Sequence, residues 1–340
     1  NRPCICVLIV RHCLFLWAIG FRHEQASSGI GGYHHDKRLR FCRRIEGADD
    51  WQQFHPQRVD LSSIACQGVG RRQAVAWAEI PGCPIWRHIE EYEKSEADPS
   101  HRPYWTNLEL KGNTPDGMSS LQELLDAEQW DIVTIQQASH ESWQSDKFDN
   151  FYPRLVEIIR KHCPKSEIVI QQTWSYASDD PRVAKPSPTW GFDQDEMYRR
   201  LNENYRNMAK ALNARIIPTG YAVQLSRERA PEKYTGFDKA EVSRYVHPDL
   251  PPASPIEVVG SFCWHKDSKT GKFVMWQDTF HLNKRGEYMQ ACVWYMFLFG
   301  RTGADIRFVP ESITKEDSAF LIGCAESAVR DYPQVRNLKE

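Results

Sequence analysis

The chain has 340 residues, with 43 Lys and Arg against 45 Asp and Glu, a formal net charge of -2, 41% hydrophobic and 26% charged residues. That length suits one large α/β domain or two small ones. The near-neutral balance excludes a nucleic-acid partner held by bulk electrostatics, and the absence of a run of about 20 apolar residues excludes a membrane-spanning helix.

The ten Cys form no C-x-x-C pair. Cys4 and Cys6 are too close for a zinc knuckle, and Cys263-Trp264-His265 lacks a second pair, so neither a structural metal nor any other cofactor is expected. Twelve Trp are many for this length and have two readings, a large aromatic core or stacking against a carbohydrate.

In chain order, residues 3–19 are apolar enough to suggest a secretory signal, although Arg11 and His12 interrupt the run. Residues 1–77 as a whole differ from the rest. They carry ten Arg and one Lys, whereas residues 78–340 carry 17 Arg and 15 Lys, and their apolar residues follow no period. An irregular N-terminal part, out of frame or disordered, is therefore set against a domain over 78–340.

From there the elements alternate. Helical patterns run over 119–127, 148–162 and 193–213, and short β-branched runs mark strands at 131–135, 167–170 and 215–218. Strands alternating with helices predict a parallel sheet with helices on both faces. A Pro-rich loop at 249–255 precedes a hairpin of 258–264 and 272–276 around the turn 267–271. Asn283 is placed to cap a helix over 284–299, and a last helix follows at 318–329.

Between that hairpin and that helix lies Asp278-Thr279-Phe280-His281. A carboxylate and an imidazole three residues apart are the layout of a general base and the group that orients it. A serine hydroxyl is a poor nucleophile until an imidazole takes its proton. No serine near the start of the chain sits in a recognisable nucleophile turn.

Three segments resemble the SGNH (GDSL-like) hydrolase superfamily, and within it the branch known as the domain-of-unknown-function 4886 family. They are Asp278 to Asn283 with Gly286-Glu287-Tyr288, Trp130 to Ser139, and Pro81-Gly82-Cys83-Pro84 with Arg87-His88 and Glu91-Tyr92. The resemblance implies a three-layer α/β/α sandwich with a mostly parallel, flavodoxin-like sheet. It implies a serine esterase removing small acyl groups from a carbohydrate-like or other small-molecule ester, in a secreted or periplasmic setting. A non-catalytic carbohydrate-binding protein on the same fold is the rival.

By resemblance, His281 is the base, Asp278 its orienting carboxylate, and the Gly82 backbone N–H an oxyanion donor. Gln136, Gln137 and Ser139 occupy the place of the superfamily's asparagine and are candidate further donors. Gln172 and Trp174, after the next strand, are candidates for the substrate pocket. Arg87 and His88 are expected on a solvated helix.

The superfamily's nucleophile follows its first strand in Gly-Asn-Ser-Phe or Gly-Asp-Ser. This chain reads Asp50-Trp51-Gln52-Gln53-Phe54-His55 there. The codons TGG, CAR, CAR, TTY and CAY, moved by one base from Trp51, read GGC, ARC, ART and TYC. The Gly is forced, and Gly-Asn-Ser-Phe is among the few permitted outcomes. Residues 45–77 are accordingly expected to be out of frame, with the serine codon straddling Gln53 and Phe54 and little or no esterase activity in the chain as written.

Overall fold

The computed structural model describes residues 75–106 and 118–335, together with the backbone of 5–11. The expectations for residues 12–74, including the displaced serine codon, lie outside the described residues.

A parallel core pairs β5 (Ile132–Ile135), β6 (Glu167–Gln171) and β7 (Arg215–Ile217). Their β-branched residues alternate between two cores. Val133, Ile135, Ile168, Ile170 and Ile216 face one side, whereas Ile132, Val169 and Ile217 face the other. Burial on both faces explains why the sequence shows continuous apolar runs here. The first core is covered by α1 (Ile85–Ala97), α2 (Leu121–Asp126), α4 (Tyr152–His162) and α5 (Gln194–Leu212). A one-turn α3 (Asp146–Asp149) precedes α4. The second core is covered by α6 (Thr219–Arg229), α8 (Lys284–Phe299) and α9 (Lys315–Asp331). A short α7 (Lys239–Val242) leads towards the hairpin.

The sheet corrects the expectation of one continuous, mostly parallel, flavodoxin-like arrangement. β2 (Val75–Pro81) carries two antiparallel additions of two residues each, β3 (Tyr104–Trp105) and β4 (Met118–Ser119). The hairpin β8 (Val259–Lys266) and β9 (Phe273–Leu282) is a separate sheet. Apart from β1, the strands thus form three groups of three, three and two. β2 and β5 are not paired with each other. Among the described residues, the backbone of β1 (Ile5–Arg11) lies between them and pairs parallel with both. An irregular N-terminal part is corrected to this extent, because 5–11 is a strand in the central slot.

β9 also differs from its expected extent. It runs through Leu282, so the Asp278–His281 segment belongs to a strand rather than to the turn before the helix. Gly260 makes this possible. Its φ of +101° bends β8 into an irregularity opposite Asp278, and an added Cβ would meet the Asp278 carbonyl oxygen at 2.9 Å. Only glycine adopts that conformation at that approach without strain.

Candidate active site

Asp278 is 6% exposed, at the point where β9 reaches the core. Its Oδ1 accepts the backbone N–H groups of Phe280 and His281, each at 2.9 Å. Its Oδ2 is bonded to Nδ1 of His281. A carboxylate only accepts, so Nδ1 carries the proton and the imidazole is the Nε2-basic tautomer. Burial alone would raise the Asp278 carboxyl. The hydrogen bond from His281, the ring's charge once it is protonated, and the two backbone donors outweigh burial and hold the group below the ordinary carboxylate value. Asp278 therefore remains charged beside the ring it orients, and the His281 side chain is 31% exposed.

The loop after β6 holds this strand in place. The Ala177 N–H donates to the Thr279 carbonyl at 2.8 Å, and the Trp174 indole N–H donates to the Phe280 carbonyl at 2.9 Å. Trp174 is fully buried in the second core. It anchors the residue before His281, and its side chain has no exposed surface. Gln172 is likewise fully buried. Its amide donates to Asn202 Oδ1 and the Tyr332 hydroxyl and accepts the Tyr221 N–H, so it too is scaffold.

Of the oxyanion candidates, Gln137 is committed elsewhere. Its Oε1 accepts the N–H groups of Ile85 and Ala138, and its Nε2 donates to the Lys147 carbonyl. It satisfies a first-turn donor of α1 that has no intrahelical acceptor, tying the loop after β5 to the helix after β2. Gln136 is different. It is 5% exposed, and its Nε2 is buried without a hydrogen-bond partner among the described residues. Leaving a buried amide donor unpaired costs on the order of 1–3 kcal/mol. Ser139 is buried, and its hydroxyl is bonded to the Tyr176 hydroxyl at 3.0 Å. Burial pushes the Tyr176 hydroxyl up to about 12, so it stays neutral.

Gly82 follows β2 with φ +60°, a conformation reserved for glycine, at the turn into α1. Arg87 and His88 do lie on α1, but His88 is 1% exposed and bonded to the Tyr104 hydroxyl at 3.0 Å. Burial lowers its pKa to about 4. The expectation of a solvated His88 is corrected.

The structure therefore links the loops at the carboxyl ends of three strands. Gln137 joins the β5 loop to the start of α1 after Gly82. Ser139 joins the β5 loop to Tyr176 after β6. The Tyr176 ring packs on Phe280 with centroids 5.5 Å apart, and Phe280 packs on His281 at 4.2 Å. Carboxyl ends of parallel strands are where open α/β sheets bind ligands.

Sequence reasoning missed Asp180, Arg182 and Tyr176. The Asp180 carboxylate is fully buried, accepts the Thr279 hydroxyl at 2.6 Å, and is paired with Arg182 through two further hydrogen bonds. The Arg182 guanidinium covers the Tyr176 ring at 4.2 Å and the Phe280 ring at 4.9 Å. Asp179-Asp180-Pro181-Arg182 has the composition of a solvated turn, and no spacing in the sequence marks it otherwise.

Fold and site together define an α/β protein with an imidazole–carboxylate pair docked beside the carboxyl end of its parallel strands. Residues 65–240, just over half of the chain, match the family model described as Domain of unknown function (DUF4886), and the chain belongs to that family. The structure is similar to the crystal structure of a DUF4886 family protein from Bacteroides uniformis, with 21% identity, a TM-score of 0.53, and coverage of 76% of this chain and 83% of that one. A protein from Parabacteroides merdae described as a candidate GDSL-like lipase matches at 12% identity and a TM-score of 0.41, over 88% of this chain and 97% of that one. No curated protein sequence matches this chain at a significant level.

Proposed function

We propose that this domain is built as a serine-type hydrolase of small acyl esters, with His281 as general base and Asp278 as its orienting carboxylate. The observation that carries this reading is the Asp278–His281 geometry. A buried carboxylate, held by two backbone N–H groups, fixes the imidazole in the tautomer that takes a proton through Nε2. A serine hydroxyl passing its proton there would attack the ester carbonyl, and the imidazolium would return the proton to the leaving alcohol. The buried Nε2 of Gln136 and the backbone N–H of Gly82 are the proposed donors to the tetrahedral oxyanion. The acyl group is small, and the alcohol is a carbohydrate or similar polar molecule, by resemblance to the SGNH hydrolases.

The nucleophile is proposed to be the serine encoded one base out of register across Gln53 and Phe54. Fluorophosphonate labelling tests the reading. A chain with residues 45–77 returned to the alternative frame should label, and the same chain with His281→Ala should label far more slowly. The chain as written should not label. A restored chain that stays unlabelled would favour the non-catalytic carbohydrate-binding reading instead.

A further inference from the structure

Thr279 lies between the two members of the pair, and all of its polar groups except its N–H are engaged by the loop after β6. Its carbonyl accepts the Ala177 N–H at 2.8 Å, and its hydroxyl donates to Asp180 Oδ2 at 2.6 Å. Both residues are buried, Thr279 at 8% and Asp180 at 0% exposure. The Asp180 carboxylate has a second partner. Arg182 donates from its backbone N–H and Nε to Oδ1, each at 2.8 Å, and from Nη2 to Oδ2 at 2.6 Å.

That guanidinium lies over the two rings, Tyr176 and Phe280, that separate the loop from His281. Asp180 thus pins, through the Thr279 hydroxyl, the backbone that sets the separation of Asp278 and His281.

We propose that Asp180 and Thr279 are positioning residues that hold Asp278 and His281 in their hydrogen-bonded register. The inference rests on the reading of His281 as the base, but its test does not require turnover. The reporter is the downfield imidazole Nδ1–H proton resonance of the His281–Asp278 hydrogen bond in the full chain, identified by its loss in Asp278→Asn. Thr279→Val, which removes only the clamp hydroxyl, should lose the resonance while the protein remains folded, and Thr279→Ser should retain it. Asp180→Asn should lose it as well, and this decides the matter by the same reading if Thr279→Val does not fold.

A role confined to stability would lower the unfolding midpoint and leave the resonance in place. Survival of the resonance unchanged in the folded variants, or its absence from the unsubstituted chain, overturns the proposal. Failure of the hydrolase reading shows separately, as a restored chain that turns over no ester while the resonance still responds to Thr279→Val.

Discussion

At the scale of single residues, the buried carboxyl groups divide by what faces their charged form. Asp278 is buried with donors aimed at its charged form and stays ionised. Glu287, in the first turn of α8, is 6% exposed and, among the described residues, is paired with Lys284, whose Nζ lies at 3.0 Å. Burial pushes its carboxyl from 4.5 up to about 7, with Lys284 pulling the other way. The folded protein therefore keeps a proton on Glu287 between those values that the unfolded chain has released. Stability from this group is fully present below about 4.5 and is lost as pH rises through about 7. The difference corresponds to about 3 kcal/mol at 1.36 kcal/mol per unit. Glu287→Gln should be more stable than the unsubstituted chain at pH 8 and close to it at pH 4.5, which unfolding midpoints across that range will show. A parallel decline of both proteins with pH would rule this out.

At the scale of elements, the pair depends on how the hairpin is fastened to the core. Glu257, just before β8, is the junction. Its carboxylate accepts the Val258 and Val259 N–H groups and pairs with Arg227 of α6, while its carbonyl accepts Asn283 Nδ2 and Arg285 Nη1. Arg227 in turn donates to the Ser175 hydroxyl and to the Ser175 and Tyr176 carbonyls, holding the loop that anchors β9. Both side chains are buried, Glu257 at 2% and Arg227 at 10% exposure. Glu257→Ala strands a buried guanidinium, and such losses cost about 3–5 kcal/mol. Urea denaturation should show a loss of that size, and a change under about 1 kcal/mol would mean that the pair is solvated like a surface bridge.

Much of this level is legible in the sequence, and what is not has a common cause. The runs at 132–135 and 167–171 announce themselves because both faces are buried. Asn283 announces itself as a cap, and its Oδ1 does accept the Arg285 and Gly286 N–H groups. α6 is invisible because its buried face is built of Thr219, Gly220, Ala222 and Ser226 as well as Val223 and Leu225, so no apolar period stands out. Gln137, Gln172 and Trp174 are found by position, but apart from the Ala138 N–H their polar atoms are used by residues 10 to 160 positions away, and spacing along the chain carries no information about such partners. The same holds for Asp180, which meets Thr279 across 99 residues.

At the scale of the whole molecule, the proposed base and its carboxylate lie far along the chain from the segment expected to encode the nucleophile. The parallel core, the pair and the post-β6 loop come from residues after 130, where the apolar periods are regular. The central slot between β2 and β5 is taken by Ile5–Arg11, although the family match begins at residue 65. The serine that the pair would serve is expected from the DNA spanning Gln53 and Phe54, a level at which neither apolar period nor packing constrains the residues written there. Read in the alternative frame, the codons for Trp51 to His55 permit a Gly-Asn-Ser-Phe turn, the proposed source of the nucleophile.

The most direct measurement is hydrolysis of a short acyl ester by two forms of the protein, the chain as written and the chain with residues 45–77 in the alternative frame. The restored form should turn the ester over, the written form should not, and His281→Ala in the restored form should lower kcat/KM by about 10⁴ or more, the scale seen when a member of a serine triad is removed. Equal activity in the two forms, or activity in the restored form that survives His281→Ala, would contradict it.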